Sequence, residues 1–158
     1  MIEIRDILSV FILSMVPVAE LRVAIPMALG LGMNSIEAFI ISVIGNMLPI
    51  PFLILFARPV ISYLEKLRPF RKIMQWVDQK IRKRARNMQT LTFWGLCLFV
   101  AIPLPGTGAW TGAGIAAILE MRLKHALPAI FLGVLGAGIV VTLASLGVIH
   151  ISHVFYGG

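Results

Sequence analysis

Charge is what this sequence has least of. Asp, Glu, Lys and Arg make up 13% of its 158 residues, against roughly 25% in an ordinary soluble domain. That deficit excludes a water-facing globular surface. The one cysteine, Cys97, stands inside an apolar run and excludes an internal disulfide. The three histidines, His125, His150 and His153, show no metal-ligand spacing with other candidate ligands, so neither a metal nor a cofactor is expected. No Ser/His/Asp spacing and no nucleophile–base pair at membrane depth is visible, so an enzyme is not expected either. No small-residue cleavage pattern closes the first apolar stretch, and a cleaved signal peptide is not expected.

What the sequence does hold is apolar: 59% hydrophobic residues and a mean hydropathy of +0.94. These values describe an integral membrane protein. The length allows one compact unit with about four to six membrane segments of roughly 20 residues each. Its organising stretch is Pro17 to Pro26, PVAELRVAIP, inside an apolar run that extends from Ile7 to Met33. A charge at membrane depth costs about 2.5–3.5 kcal/mol, so Glu20 and Arg22 mark a functional site by default. Pro17 and Pro26 each remove a backbone donor and are expected to break the helix. Broken backbone at that depth is tolerated only where protein or a watery cavity covers it. The two arms hold about ten residues each and rise roughly 15 Å. A hairpin that enters and leaves on one side is therefore as natural as a broken spanning helix. The second arm carries a small-residue stripe, Ala24, Ala28 and Gly32.

Asn34 or Ser35 then caps a helix whose first turn holds Glu37. Ala38 to Ala57 reads as an uncharged span containing Gly45, Asn46, Pro49 and Pro51. Asn46 needs a partner inside the bundle, either another helix or a substrate.

Arg58 to Thr90 is different material, with ten of the fourteen Lys and Arg residues. Phe70, Ile73, Met74, Val77, Ile81, Ala85 and Met88 recur at helical spacing beside a basic face. This predicts an amphipathic helix on the cytoplasmic surface, bound to anionic lipid headgroups. The positive-inside rule explains its charge, and no nucleic-acid partner is expected.

Leu91 to Leu119 repeats the opening pattern without a charge. It breaks at Pro103, Pro105, Gly106 and Gly108, and its second arm carries Ala109, Ala113 and Ala117. After a charged turn (Glu120, Arg122, Lys124, His125), Ala126 to Ile149 forms a second span. Displacing the first half by 88 residues sets Met33 on Met121, Ala38 on Ala126, Gly45 on Gly133 and Leu55 on Leu143. Such internal repeats commonly mean a transporter, with its site at the repeat interface. Charge then selects the topology. Re-entrant hairpins put twelve of the fourteen basic residues on the cytoplasmic side, leaving Arg5 outside and Arg22 at depth.

The expected fold is thus all-α and integral to the membrane, a single membrane domain over residues 1–158. It has two inverted repeats (1–57 and 91–158), each a Pro-broken re-entrant hairpin plus a spanning helix, joined by the basic linker 58–90. A dimer or larger assembly is expected to cover the broken segments.

PVAELRVAIP and PLPGTGAWTGAG resemble the motifs of the bacterial and archaeal small multidrug export protein family. That family is more remotely similar to the DedA (VTT/SNARE-associated) superfamily. The resemblance covers nearly the whole chain and implies two inverted halves in the cytoplasmic membrane of a prokaryote. By the same resemblance, proton-coupled movement of polyprenyl-phosphate carriers or phospholipids is implied. Glu20 would match the acidic residue of the first hairpin, and Pro103 with Pro105 the second break.

On physical grounds, two helix N-termini pointing at one central site favour an anion there. Arg22 adds a fork suited to phosphate or carboxylate. Thr107 and Thr111 would offer hydroxyls, Trp110 would wall the site, and Glu20 would carry a proton or hold Arg22. Residues two apart on a regular helix diverge, so pairing Glu20 with Arg22 requires irregular backbone. A transporter of an anionic, lipid-linked substrate is the first expectation. An exporter of lipophilic cations and a non-transporting membrane organiser are the alternatives.

Overall fold

The computed structural model describes residues 3–64, 75, 89–104 and 106–156, and every element among them is an α-helix. The first arm, α1 (Ile4–Met15), ends where the sequence forces it to. Val16, the residue before Pro17, lies in the extended region at φ −76°, ψ 132°, as proline demands of its predecessor. A short turn leads into α2 (Glu20–Gly30).

Pro26 does not break the chain; it sits inside α2. A proline there removes only the bond to the carbonyl four residues back, and the rest of this short helix survives it. The expected hairpin break therefore belongs to Pro17 alone. Gly32 likewise leaves the small-residue stripe. It is exposed at φ +84° and stops the helix, while Ala24 and Ala28 are fully buried.

Asn34 caps α3 (Ser35–Met47), its side-chain oxygen accepting from the Ile36 N–H at 3.1 Å. The predicted span from Ala38 to Ala57 is not one smooth helix. A turn at Leu48 and Pro49 separates α3 from α4 (Ile50–Leu64), and the rod runs past Arg58. Pro49 and Pro51 lack N–H groups, which interrupts the hydrogen-bond ladder there without ending the rod. Most of the basic linker lies outside the described residues, including all of its predicted apolar stripe.

In the second half, α5 (Gln89–Ala101), α6 (Ala109–Ile118) and α7 (Leu123–Tyr156) follow the predicted order. The last begins three residues earlier and ends later than Ala126 to Ile149. Two rods, Ser35–Ile61 and Leu123–Ile151, are long and apolar enough to cross a membrane. The other helices hold 10 to 13 residues, roughly 15–20 Å of rise, about half a bilayer core.

The ends of α2 and α6 share one hydrogen-bond pattern. Gly32 and Met33 donate to Leu29 and Ala28; Glu120 and Met121 donate to Ala117 and Ala116. Both are Schellman stops with a left-handed residue, Gly32 at φ +84° and Glu120 at φ +53°. The four residues of one stop lie 88 positions from those of the other.

Packing then crosses between the halves. Helix α1 lies on α2 and α3, and α5 lies on α7. Helix α2 also packs on α7, and α6 on α4. The interior is Leu21, Ile25, Ile50, Ile54, Val100, Ile130 and Val134, with the alanines of α6 between them. Ile12, Ile44, Phe56, Leu98 and Leu143 point outward and exposed. That is an apolar exterior, as a lipid-facing surface requires.

Candidate functional site

The site forms where the two chain breaks meet. Glu20 opens α2 at φ +48°, a left-handed conformation that costs a non-glycine residue roughly 1–3 kcal/mol and clusters at functional positions. This irregularity settles how residues two apart can touch. The Arg22 Nη1 group donates to Glu20 Oε2 at 3.5 Å, and the two side chains are 18% and 4% exposed. The Glu20 carboxylate is turned toward α6, where Oε1 accepts the backbone N–H of Trp110 at 3.3 Å. It thus occupies the N-terminus of α6, where backbone donors and the helix dipole favour negative charge.

Gly108 makes that approach possible. A Cβ added there would collide with the Glu20 carboxylate. The residue is extended (φ −81°, ψ −170°), so it is the missing side chain that matters.

Arg22 reaches further into the second half. Its Nη2 donates to the Ile102 carbonyl at 3.2 Å and to Thr107 Oγ1 at 3.0 Å. Thr107 is a local hub: it accepts from the Leu104 N–H at 3.2 Å, and its hydroxyl lies 2.6 Å from the Ile102 carbonyl and 2.9 Å from that of Leu104. Its single proton is engaged with these carbonyls, so Thr107 positions Arg22 and shapes the turn. Trp110 donates its indole N–H to the Met15 carbonyl at 3.1 Å, clasping the end of α1 to the start of α6.

A cavity of about 320 Å³ opens beside the pair, lined by Pro17, Glu20, Arg22, Pro103, Gly108 and Thr111 among others. Gly106 also lines it, at φ +83°. Pro26 does not, and Pro105 lies outside the described residues. On the inner side of the same pair, Asn46 is fully buried and lines a narrow space with Glu20, Arg22 and Gly108. Neither of its amide atoms has a hydrogen-bond partner among the described residues, and the same holds for Ser42 Oγ one turn earlier. Sequence reasoning missed Ser42, though its four-residue spacing from Asn46 was a signal.

The profile of the family described as "Putative small multi-drug export protein" matches residues 20–140. The chain belongs to this family. No curated protein and no solved structure matches it. The match to the small multi-drug export family begins at Glu20 itself, just after the first break, and takes in all of α2 to α6, the second break and part of α7. With the two long apolar rods, this membership makes the chain a membrane protein.

Proposed function

We propose that the protein is a transporter or flippase for an anionic, phosphate-bearing substrate, with Glu20 as its proton carrier. One observation carries this reading: a carboxylate already sits at the α6 N-terminus, held by Arg22, beside a cavity large enough for a phosphate group. Glu20 is in effect a tethered anion in an anion site. Protonation would remove its charge, release the Arg22 Nη1 group and leave the helix N-terminus to a substrate phosphate. Proton uptake and anion entry would then be one exchange. No catalytic group or cofactor enters this cycle.

Its setting at a repeat interface is supported by the wall of the inner space. Glu20 and Gly108, Leu21 and Ala109, and Asn46 and Val134 are each 88 residues apart, and all six line it. Equivalent positions of two halves would converge in this way about a pseudo-two-fold axis. The polar members of these pairs, Glu20 and Asn46, both come from the first half. Re-entrant hairpins are supported by the short α1, α2, α5 and α6, and by α2 packing on α3 while α6 packs on α4. The hairpins would approach the middle of the first rod from opposite membrane faces. The family's description names drug export, but Arg22 at the site repels a lipophilic cation.

The test is reconstitution in vesicles with a fluorescent short-chain phosphatidic acid and, separately, tetraphenylphosphonium. An imposed proton gradient should drive the first across the bilayer, and Arg22→Ala should reduce that movement at least tenfold. Movement of the cation that survives or improves in Arg22→Ala would replace this reading with cation export.

A further inference from the structure

Asn46 is a primary amide buried in the middle of the bundle. Its side chain is fully inaccessible, and both Oδ1 and Nδ2 lack partners among the described residues. Leaving such a group unpaired costs about 1–3 kcal/mol, so a native structure that retains one needs an account of it. Water does not supply it, because the space that Asn46 shares with Glu20 is too narrow to admit a water molecule. The partner must then be a side chain that moves. Of the residues lining that space, Leu21, Val100, Ala109, Val134 and Ala137 are apolar and Gly108 has no side chain; Glu20 and Arg22 remain.

Chemistry separates these two. An amide offers one acceptor and two donors. The Arg22 Nε group, itself without a partner among the described residues, can only donate and would leave Nδ2 unpaired. A carboxylate can only accept and would leave Oδ1 unpaired. A protonated carboxyl group does both: its O–H donates to Oδ1 while its carbonyl accepts from Nδ2. The other surroundings of Glu20 bring no competing charge. Among the described residues facing it, α2 contributes Arg22, the second break Gly108, α6 Ala109 and Trp110, α5 Val100 and α7 Val134 and Ala137. Arg22 is the one charged group in that set.

We propose that Asn46 is the docking site for the protonated form of Glu20, the second position of a two-position switch. Resting on the proton-coupled reading above, it adds where the carboxyl group goes. As a carboxylate, Glu20 caps α6 and holds Arg22. On taking a proton from the 320 Å³ cavity that it also lines, it turns inward and forms a paired hydrogen bond with the Asn46 amide. The Arg22 Nη1 group and the Trp110 N–H are then free for the substrate anion. Asn46 holds the proton carrier out of the anion's way and touches no substrate itself.

Infrared difference spectra between high and low pH test this on the full chain in lipid nanodiscs, with no substrate required. The carboxyl carbonyl band that disappears in Glu20→Gln is that of Glu20. In Asn46→Leu, which removes an unpaired amide, the band is expected to move to higher wavenumber because its carbonyl loses a hydrogen bond. Asn46→Ser, too small to overpack, should move it part of the way and covers the case in which Asn46→Leu does not fold. A band that keeps its position in the folded variants overturns the docking proposal and leaves the proton carrier intact. Absence of any Glu20 band between these pH values overturns both.

Discussion

A single hydrogen atom in place of a side chain holds the site together. Gly108 lets a carboxylate from 88 residues away lie against the backbone that starts α6, and its role is steric, since its backbone angles suit any residue. Gly108→Ala is therefore expected to act on the site and spare the fold. The atoms the new methyl would meet are the flexible end of Glu20, which can swing away. Thermal stability in detergent should stay within about 1 kcal/mol of the parent, the usual range for a change that strikes only a movable group. Vesicle transport should fall as far as in Glu20→Ala. A large loss of stability instead would mean that Glu20 is held rigidly as a structural group. Glu20 and Arg22 were legible from the sequence because charges in an apolar run are conspicuous. Their pairing was legible only as conditional on irregular backbone, and the left-handed Glu20 that supplies it is required by no propensity rule.

Proline and glycine do different work in different elements. Pro17 ends α1 because Val16 must be extended, whereas Pro26 and Pro59 lie within helices. The prolines were equally visible in the sequence, but only the neighbouring helices decide which of them a packed segment tolerates. Gly45, Gly133, Gly136 and Gly138 of the long rods mark close crossings. Added at Gly133, a Cβ would stand 2.6 Å from Val100 Cβ and 2.7 Å from the Cys97 carbonyl oxygen, both on the packed face of α5. Neither is the end of a movable chain. Gly133→Ala should destabilise the protein by about 1–3 kcal/mol, measured as a lower denaturation midpoint in mixed micelles.

At the scale of the whole molecule, the question is which face each turn occupies. Single cysteines at Ser35 and Lys124 in a Cys97→Ser background should react with impermeant thiol reagents from opposite sides, Ser35 from outside. Reaction of both from outside would mean that the short helices cross in series and that no inverted arrangement exists. Composition and apolar periodicity alone determined that this chain is helical, membrane-embedded and broken in two places, because each property is local: the cost of a charge in lipid, the missing N–H of proline, the reach of ten residues. The tertiary structure decided what the breaks are for. Glu20 on the α6 N-terminus and Arg22 on Ile102 and Thr107 are contacts between segments far apart in the chain, and behind them they leave Asn46 unpaired among the described residues. Such contacts arise from how α2 crosses to α7 and α6 to α4, and that packing depends on every helix at once.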